Sequence, residues 1–280
     1  IKKLKENVLK FLDKCEFYDC NYRLSTNSEI SPYATCFAVF TRNLIKDQTL
    51  KNDSTKFEKN IINSIKKEHL KMNLRGKPFR QLLCFSLSAL SILDESKPAL
   101  LNDYVKEQLS LYHPDKPLNE LGSLEGIPGS GNQAMFYAVF LIHARKYLDI
   151  NTSLEIDNWI SNHILYTNSF GLWGKTNNLK HLHFQNGYHQ YEIIDFLGIK
   201  NNKLWKYKNQ LINLADQYGH FAPIIGGGGC YDYDAIFLLT SSNIKKDKEL
   251  EKILYKIKEN LILMQNKDGG FPENKLAKAG

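Results

Sequence analysis

Residues Gln265–Phe271, Gln-Asn-Lys-Asp-Gly-Gly-Phe, form a glycine–aromatic turn at the end of an amphipathic helix pattern, and the chain repeats this arrangement. Similar turns occur at Phe170–Trp173 and Gln217–Phe221, so that Trp173, Phe221 and Phe271 are 48 and 50 residues apart. Glycine suits such a turn because it adopts a positive φ at a helix end without a steric penalty. Repetition at this period predicts a unit of two helices joined by the turn.

Two kinds of helical pattern alternate along the chain. One kind is amphipathic, which is typical of surface helices, and the other is apolar on all sides, which indicates buried helices. Ala34–Phe40 (Ala-Thr-Cys-Phe-Ala-Val-Phe) matches Ala134–Phe140 (Ala-Met-Phe-Tyr-Ala-Val-Phe) at the start of two apolar segments. The sequence therefore predicts an all-α protein with a single domain over residues 1–280.

The two kinds of helix are unequal in number. The predicted surface helices lie near residues 1–15, 54–72, 98–112, 153–167, 203–217 and 247–266. The predicted buried helices lie at Tyr33–Leu44, Phe79–Leu93, Gln133–Leu148, Tyr188–Leu197 and Tyr231–Leu239. We therefore expect about eleven helices, and a closed ring of six helix pairs would lack one buried helix.

Composition narrows the class of protein. The 280 residues carry 37 Lys and Arg against 30 Asp and Glu, a net charge of +7, but the lysines are scattered, so no nucleic-acid surface is indicated. No apolar run approaches the roughly 20 residues that span a bilayer, and the first residues do not have the pattern of a signal peptide. Five irregularly spaced cysteines fit reduced thiols and predict a cytoplasmic protein.

The Gln265–Phe271 turn, together with Ser31–Ala38 at the start of a buried helix, resembles the repeats of the prenyltransferase and squalene-cyclase superfamily. This resemblance implies an α/α toroid, as in terpenoid cyclases, in which an inner ring of helices stands inside an outer ring. It also implies a site in the central cavity, at the end where the inner helices begin. With one inner helix missing, we expect a gap that a C-terminal segment or a partner, such as a second copy of the chain, would close.

Four successive glycines, Gly226–Gly229, precede the last buried helix. Glycines contribute no side chain to packing and cost conformational entropy when they are ordered. Either the loop lies against a ligand, where the N–H groups of Gly228 and Gly229 could receive an anion, or it is a flexible hinge.

Two carboxylates follow this loop. Asp232 and Asp234 are two residues apart and so do not share a helix face. Asp232 either caps the helix or acts as an acid, whereas Asp234 lies deeper, where low dielectric would raise its pKa and suit a general acid. His189, near the start of the preceding buried helix, is a candidate base or proton shuttle because its ordinary pKa is near 6.5; the alternative is a structural histidine.

The remaining candidate residues lie where buried helices begin. Setting Gly187 level with Gly229 places His189 beside Tyr231 and Glu192 beside Asp234, and it leaves His181 and His183 in a surface loop. The predicted substrate-binding residues are Tyr33, Arg80, Gln133, Tyr188, Glu192, Gly228, Gly229 and Tyr231. Such a polar lining suits an oxygenated or charged substrate, because unpaired polar groups facing a hydrocarbon are costly.

The first functional hypothesis is therefore an enzyme that performs acid–base chemistry, of lyase, isomerase or cyclase type, on a polar or anionic small molecule or a glycan-like substrate. Class II terpene cyclases of the superfamily use Asp-x-Asp-Asp, whereas Asp232–Ala235 here lacks the last carboxylate. Protein prenyltransferases bind zinc through Asp-x-Cys and a later histidine, and Cys230–Asp232 has the reverse order. A cyclase or prenyltransferase for an isoprenoid diphosphate and a non-catalytic scaffold for a peptide partner stay open as alternatives.

No cofactor is expected from these motifs. The alternative is a divalent metal, Mg or Zn, bound by Cys230, Asp232 and His189, whose side chains are of suitable type but lack a diagnostic spacing.

Overall fold

A computed structural model describes residues 2–111, 125–127, 129–174 and 180–272. Within these ranges the chain forms twelve α-helices, one 3₁₀ helix and one short hairpin. The predicted all-α class is confirmed. No helix in these ranges is both long enough and apolar enough to cross a membrane.

The elements follow one another in the chain as follows. The helices are α1 (Lys2–Cys15), α2 (Pro32–Ile45), α3 (Thr49–Asn52), α4 (Ser54–His69), α5 (Lys77–Leu93), α6 (Asn102–Leu111), α7 (Ser130–Tyr147), α8 (Ser153–Leu165), α9 (His181–Phe196), α10 (Lys208–Ile212), α11 (Cys230–Thr240) and α12 (Lys248–Met264). A 3₁₀ helix at Lys97–Leu101 precedes α6, and β1 (Glu16–Tyr18) pairs antiparallel with β2 (Asn21–Tyr22).

The two kinds of helix differ in burial as the sequence predicts. In α4 the buried residues are Phe57, Ile61 and Ile65, four residues apart on one face. In α5 nine residues are buried, among them the polar Arg80 and Ser86. The surface helices therefore pack against the protein through one apolar face, whereas the buried helices are surrounded by protein.

Five helices form a row through the protein. Each of α2, α5, α7, α9 and α11 packs against the next in this order, and we call them the central helices. No comparably extensive contact joins α2 to α11 among the described residues. The five predicted buried helices are thus present. Among the described residues, the helices at the two ends of the row, α2 and α11, each pack extensively against only one other central helix.

Three turns share one hydrogen-bonding pattern, which confirms the sequence repeat. Each turn begins at Asn168, Asp216 or Asn266. The carbonyl of this residue accepts a hydrogen bond from the N–H of the glycine three positions later, and its own N–H donates to the carbonyl of the residue four positions later. These glycines, Gly171, Gly219 and Gly269, have φ values of 74°, 86° and 100°, which disfavour a residue with a Cβ. The aromatic residue that follows the first two turns is fully buried, as Trp173 and Phe221 show.

The last turn returns to the first helix. Asn7 of α1 donates to Gln265 Oε1 over 3.1 Å, and Gln265 Nε2 donates to the Leu4 carbonyl over 3.4 Å. The surface helices therefore meet at the two ends of the described chain, although the central helices leave a gap between α11 and α2.

Three predicted boundaries are wrong. The segment 203–217 is helical only over α10, because Trp205 takes a positive φ of 63° and its N–H donates to the Tyr191 hydroxyl. Helix α9 begins at His181, since the His183 ring accepts the Lys180 N–H over 3.2 Å and closes the first turn. His181 and His183 are thus helical. The segment 98–112 divides into the 3₁₀ helix and α6, and residue 112 lies outside the described residues.

Candidate functional site

A group of polar side chains lies where α9 packs against α11. We call Asp234, Glu192, Tyr188 and His189 the carboxylate cluster. The Tyr188 ring joins the two helices, with its centroid 5.8 Å from that of Tyr233 and an edge-to-face angle of 85°. Helix packing therefore brings together residues that are 46 positions apart at the extremes, Tyr188 and Asp234.

Asp234 is the most perturbed carboxyl group of this cluster. Its side chain is buried, with 3% of the residue exposed, and the charge of Glu192 acts on it. Burial first, and then the negative charge of Glu192, raise the pKa of Asp234 to about 8. This shift favours the protonated carboxylic acid at pH 7.

Glu192 is held by its neighbours on α9. The Tyr188 hydroxyl is hydrogen-bonded to Glu192, and burial together with this carboxylate raises the pKa of Tyr188. His189 Nδ1 lies 3.7 Å from Glu192 Oε2, with the carboxylate partly exposed. A fixed phenol and a nearby imidazole thus surround a carboxylate that solvent can reach.

Asn132 of α7 holds the other side of the histidine ring, over 2.7 Å between its Nδ2 and His189 Nε2. When the amide donates to Nε2, the neutral ring carries its proton on Nδ1, which faces Glu192. The sequence analysis missed Asn132. A polar residue beside Gln133 in a helix that is otherwise apolar was the available signal.

Asp232 points away from the carboxylate cluster. Its Oδ2 lies 2.7 Å from His220 Nδ1, and its Oδ1 accepts the Phe221 N–H over 2.8 Å. Both oxygens therefore hold the preceding glycine–aromatic turn against α11. Asp232 is the third residue of α11, and the N-cap position is occupied by Gly229, so the predicted cap by Asp232 is wrong.

Local packing accounts for the glycines of the Gly226–Gly229 loop, in addition to the two predicted alternatives of a ligand contact and a flexible hinge. A Cβ at Gly228 would lie 2.6 Å from Asp232 Oδ2, and Gly229 has a φ of 60°. Gly226 donates its N–H to Asp216 Oδ2 over 2.6 Å. The bare backbone thus allows Asp232 to reach the turn.

The other predicted substrate-binding residues divide into two groups. Arg80 donates to Gln133 Oε1 over 3.0 Å and to Gln108 Oε1 over 3.1 Å, so Arg80 and Gln133 are brought together on α5 and α7. The Tyr33 hydroxyl donates to the Pro78 carbonyl at the start of α5. Tyr231 packs edge-on against Phe184 of α9.

The proposed metal ligands are engaged separately. Cys230 is exposed and its Sγ lies 3.8 Å from Gln185 Nε2, whereas Asp232 bonds to His220 and His189 contacts Asn132. Within the described ranges no group of three His, Cys, Asp or Glu side chains is placed to hold a metal ion.

The predicted register between α9 and α11 is wrong by about one helical turn. Gln185 is level with Cys230, and Tyr188 with Tyr233, because α9 begins earlier and Gly187 lies within it rather than at its start. His189 is therefore near the level of Asp234 instead of Tyr231.

Cys84 was not among the predicted site residues. Burial first and then the charge of Glu192 raise the pKa of its thiol, which places an unreactive thiol near the carboxylate cluster.

Comparison of the chain with protein-family models, with curated proteins and with solved structures gives no match. The relationship to the prenyltransferase and squalene-cyclase superfamily thus stays a prediction from the repeat motif. A function has to be argued from the carboxylate cluster itself.

Proposed function

We propose that this protein is an enzyme that performs acid–base chemistry on a polar or anionic small molecule or a glycan-like substrate, with Asp234 as the general acid. The observation that carries this proposal is the buried carboxyl group of Asp234, whose pKa is raised by burial and by the charge of Glu192. Two carboxyl groups in different environments are the arrangement that separates an acid from a base at one pH.

The roles follow from the contacts. Asp234 donates its proton to an oxygen of the substrate, either a leaving oxygen or a carbonyl. Glu192, whose Oε2 lies 3.7 Å from His189 Nδ1, takes a proton from the substrate or from water, and His189 orients this carboxylate. Asn132 positions the His189 ring. A lyase, isomerase or cyclase reaction requires such a proton donor and acceptor.

The proposal includes an incomplete α/α toroid. The row of central helices supports it, with the amphipathic helices α4 and α8 between them in the chain and α12 after the last of them. The gap would lie between α11 and α2, and the carboxylate cluster would face the cavity from the middle of α9 and the first half of α11.

A substrate-class panel in deuterated water tests the proposal. The panel contains neutral oligosaccharides, uronate-containing oligosaccharides, small hydroxy acids and an allylic diphosphate with magnesium, with mass spectrometry to detect products and solvent deuterium. We expect turnover of an oxygenated class, and a loss of about 10²–10⁴-fold in kcat for Asp234→Asn, the usual contribution of a positioned acid.

The matched control is Asp157→Asn, which removes an exposed carboxyl group from α8 and is expected to retain full turnover. Full turnover by Asp234→Asn would contradict the assigned role. Turnover of the allylic diphosphate alone would favour the isoprenoid alternative instead.

A further inference from the structure

An apolar groove lies between α1 and α2, and none of the residues of the carboxylate cluster lines it. Its walls are α1, α2 and the last glycine–aromatic turn, and its volume is about 620 Å³. Val8, Phe11, Phe37 and Phe271 are among the side chains that line it. This volume falls within the range of roughly 300–1,000 Å³ that small-molecule pockets occupy.

The groove leaves apolar groups uncovered that the repeat covers elsewhere. Trp173 and Phe221, which follow the first two turns, are both 0% exposed, whereas Phe271 in the third turn is 40% exposed. Leu44 of α2, another wall residue, is 78% exposed. Apolar surface of this kind, gathered in a concave site, indicates a binding function.

The groove extends along α1. Lys5 and Cys15 line it ten residues apart on this helix, which is about 15 Å along the helix axis. This length suits a single extended apolar chain.

The described lining of the groove includes two cations, the exposed Lys5 at one end and Arg23 at the other, and the state of Arg23 indicates where a headgroup binds. Arg23 lines the groove beside Cys15, and its Nε is buried without a hydrogen-bond acceptor among the described residues. The guanidinium lies 5.1 Å from the Phe17 ring centroid. No Asp or Glu occurs among the described residues that line the groove. A guanidinium in this state favours a carboxylate or a phosphate.

We propose that the groove between α1 and α2 binds a single-chain amphiphile, with its anionic headgroup at Arg23 and its apolar chain along α1 between Phe11 and Phe37. The inference is independent of the proposed acid–base function. It assigns a binding site to the surface between α1, α2 and the last glycine–aromatic turn.

Titration calorimetry with laurate, dodecyl phosphate and dodecanol tests the proposal on the 280-residue chain. We expect at least one of the two anions to bind at least tenfold more tightly than dodecanol, and the preferred anion identifies the headgroup. Arg23→Gln should weaken the anion at least tenfold and leave dodecanol unchanged, whereas Arg23→Lys should restore part of the affinity.

Two further variants separate the site from general effects. Lys10→Gln removes a charge from α1 at a position that does not line the groove, and it should leave binding unchanged. Thr41→Trp should fill the groove and abolish the binding of all three probes while the circular dichroism of the folded chain is retained. Absence of anion binding, equal affinity for dodecanol, or an unaffected Arg23→Gln would overturn the proposal, as would a dimer whose interface blocks laurate.

Discussion

The wild-type protein is expected to become less stable as the pH rises toward 8, and Asp234→Asn is expected to abolish this pH dependence. Burial raises the pKa of Asp234 from 3.8 to about 8, so the folded protein binds this proton more tightly than the unfolded chain does. The resulting stabilisation is complete below pH 3.8 and is lost as the pH rises through the folded pKa. Over the whole window it is on the order of 5 kcal/mol.

Two buried histidines act in the opposite direction and must be separated from Asp234. Burial lowers the pKa of His143 and of His163 to about 4, against 6.5 for a free side chain. Their neutral forms stabilise the fold above pH 6.5, and this contribution is lost as the pH falls through 4. Between pH 6.5 and 8, Asp234 acts without them, and about 2 kcal/mol of its effect falls there.

Denaturant unfolding of the wild type and of Asp234→Asn from pH 4 to pH 9 measures this difference. Asn has nearly the same shape and no proton to lose, so the difference between the two free energies should change by several kcal/mol across the range. Asp157→Asn, exposed on α8, should follow the wild-type curve. Parallel curves for the wild type and Asp234→Asn would show that Asp234 is ionised in the fold at neutral pH.

Gly131→Ala is expected to destabilise the protein by about 2–3 kcal/mol, because α7 and α9 approach most closely there. An added Cβ would lie 2.1 Å from the backbone oxygen of Asn186, and backbone cannot move aside without separating the helices. The Gly131 N–H also donates to Asn186 Oδ1 over 2.5 Å. The gain of helix propensity, up to about 1 kcal/mol, does not offset this overlap.

Gly187→Ala is the matched control, on the facing helix. Its added Cβ would lie 2.6 Å from Leu172 Cδ2, the end of a side chain that can rotate away. We expect a change in unfolding free energy within about 1 kcal/mol of zero. Equal costs for both alanines would contradict the assigned close contact, and denaturant unfolding at one pH decides the matter.

Much of the fold could be predicted because it depends on local periodicity. Apolar residues on one face identified α4 and α12, apolar residues on all sides identified α5 and α7, and Gly171, Gly219 and Gly269 adopt the positive φ that their turns require. Where tertiary contacts override propensity, prediction failed. Trp205 is held in a left-handed conformation beside Tyr191 and ends the helix expected over 203–217.

The candidate site was harder to predict because it depends on the orientation of individual side chains. Asp234 was singled out for burial in the last central helix, and the structure buries it. The partner of Asp232 is His220, on the preceding turn, and no spacing rule within α11 points to it. Asn132 comes to His189 from a different helix, through a register that depends on where α9 begins.

The protonation state of Asp234 is the central claim, and carbon-13 NMR measures it directly. The side-chain carboxyl resonance of Asp234, assigned by its disappearance in Asp234→Asn, is followed from about pH 3 to pH 9. A midpoint near pH 8, the value to which burial and Glu192 raise its pKa, is the predicted result. A midpoint near the ordinary value of 3.8 would mean that Asp234 is a carboxylate at neutral pH, and the assignment of a general acid would be wrong.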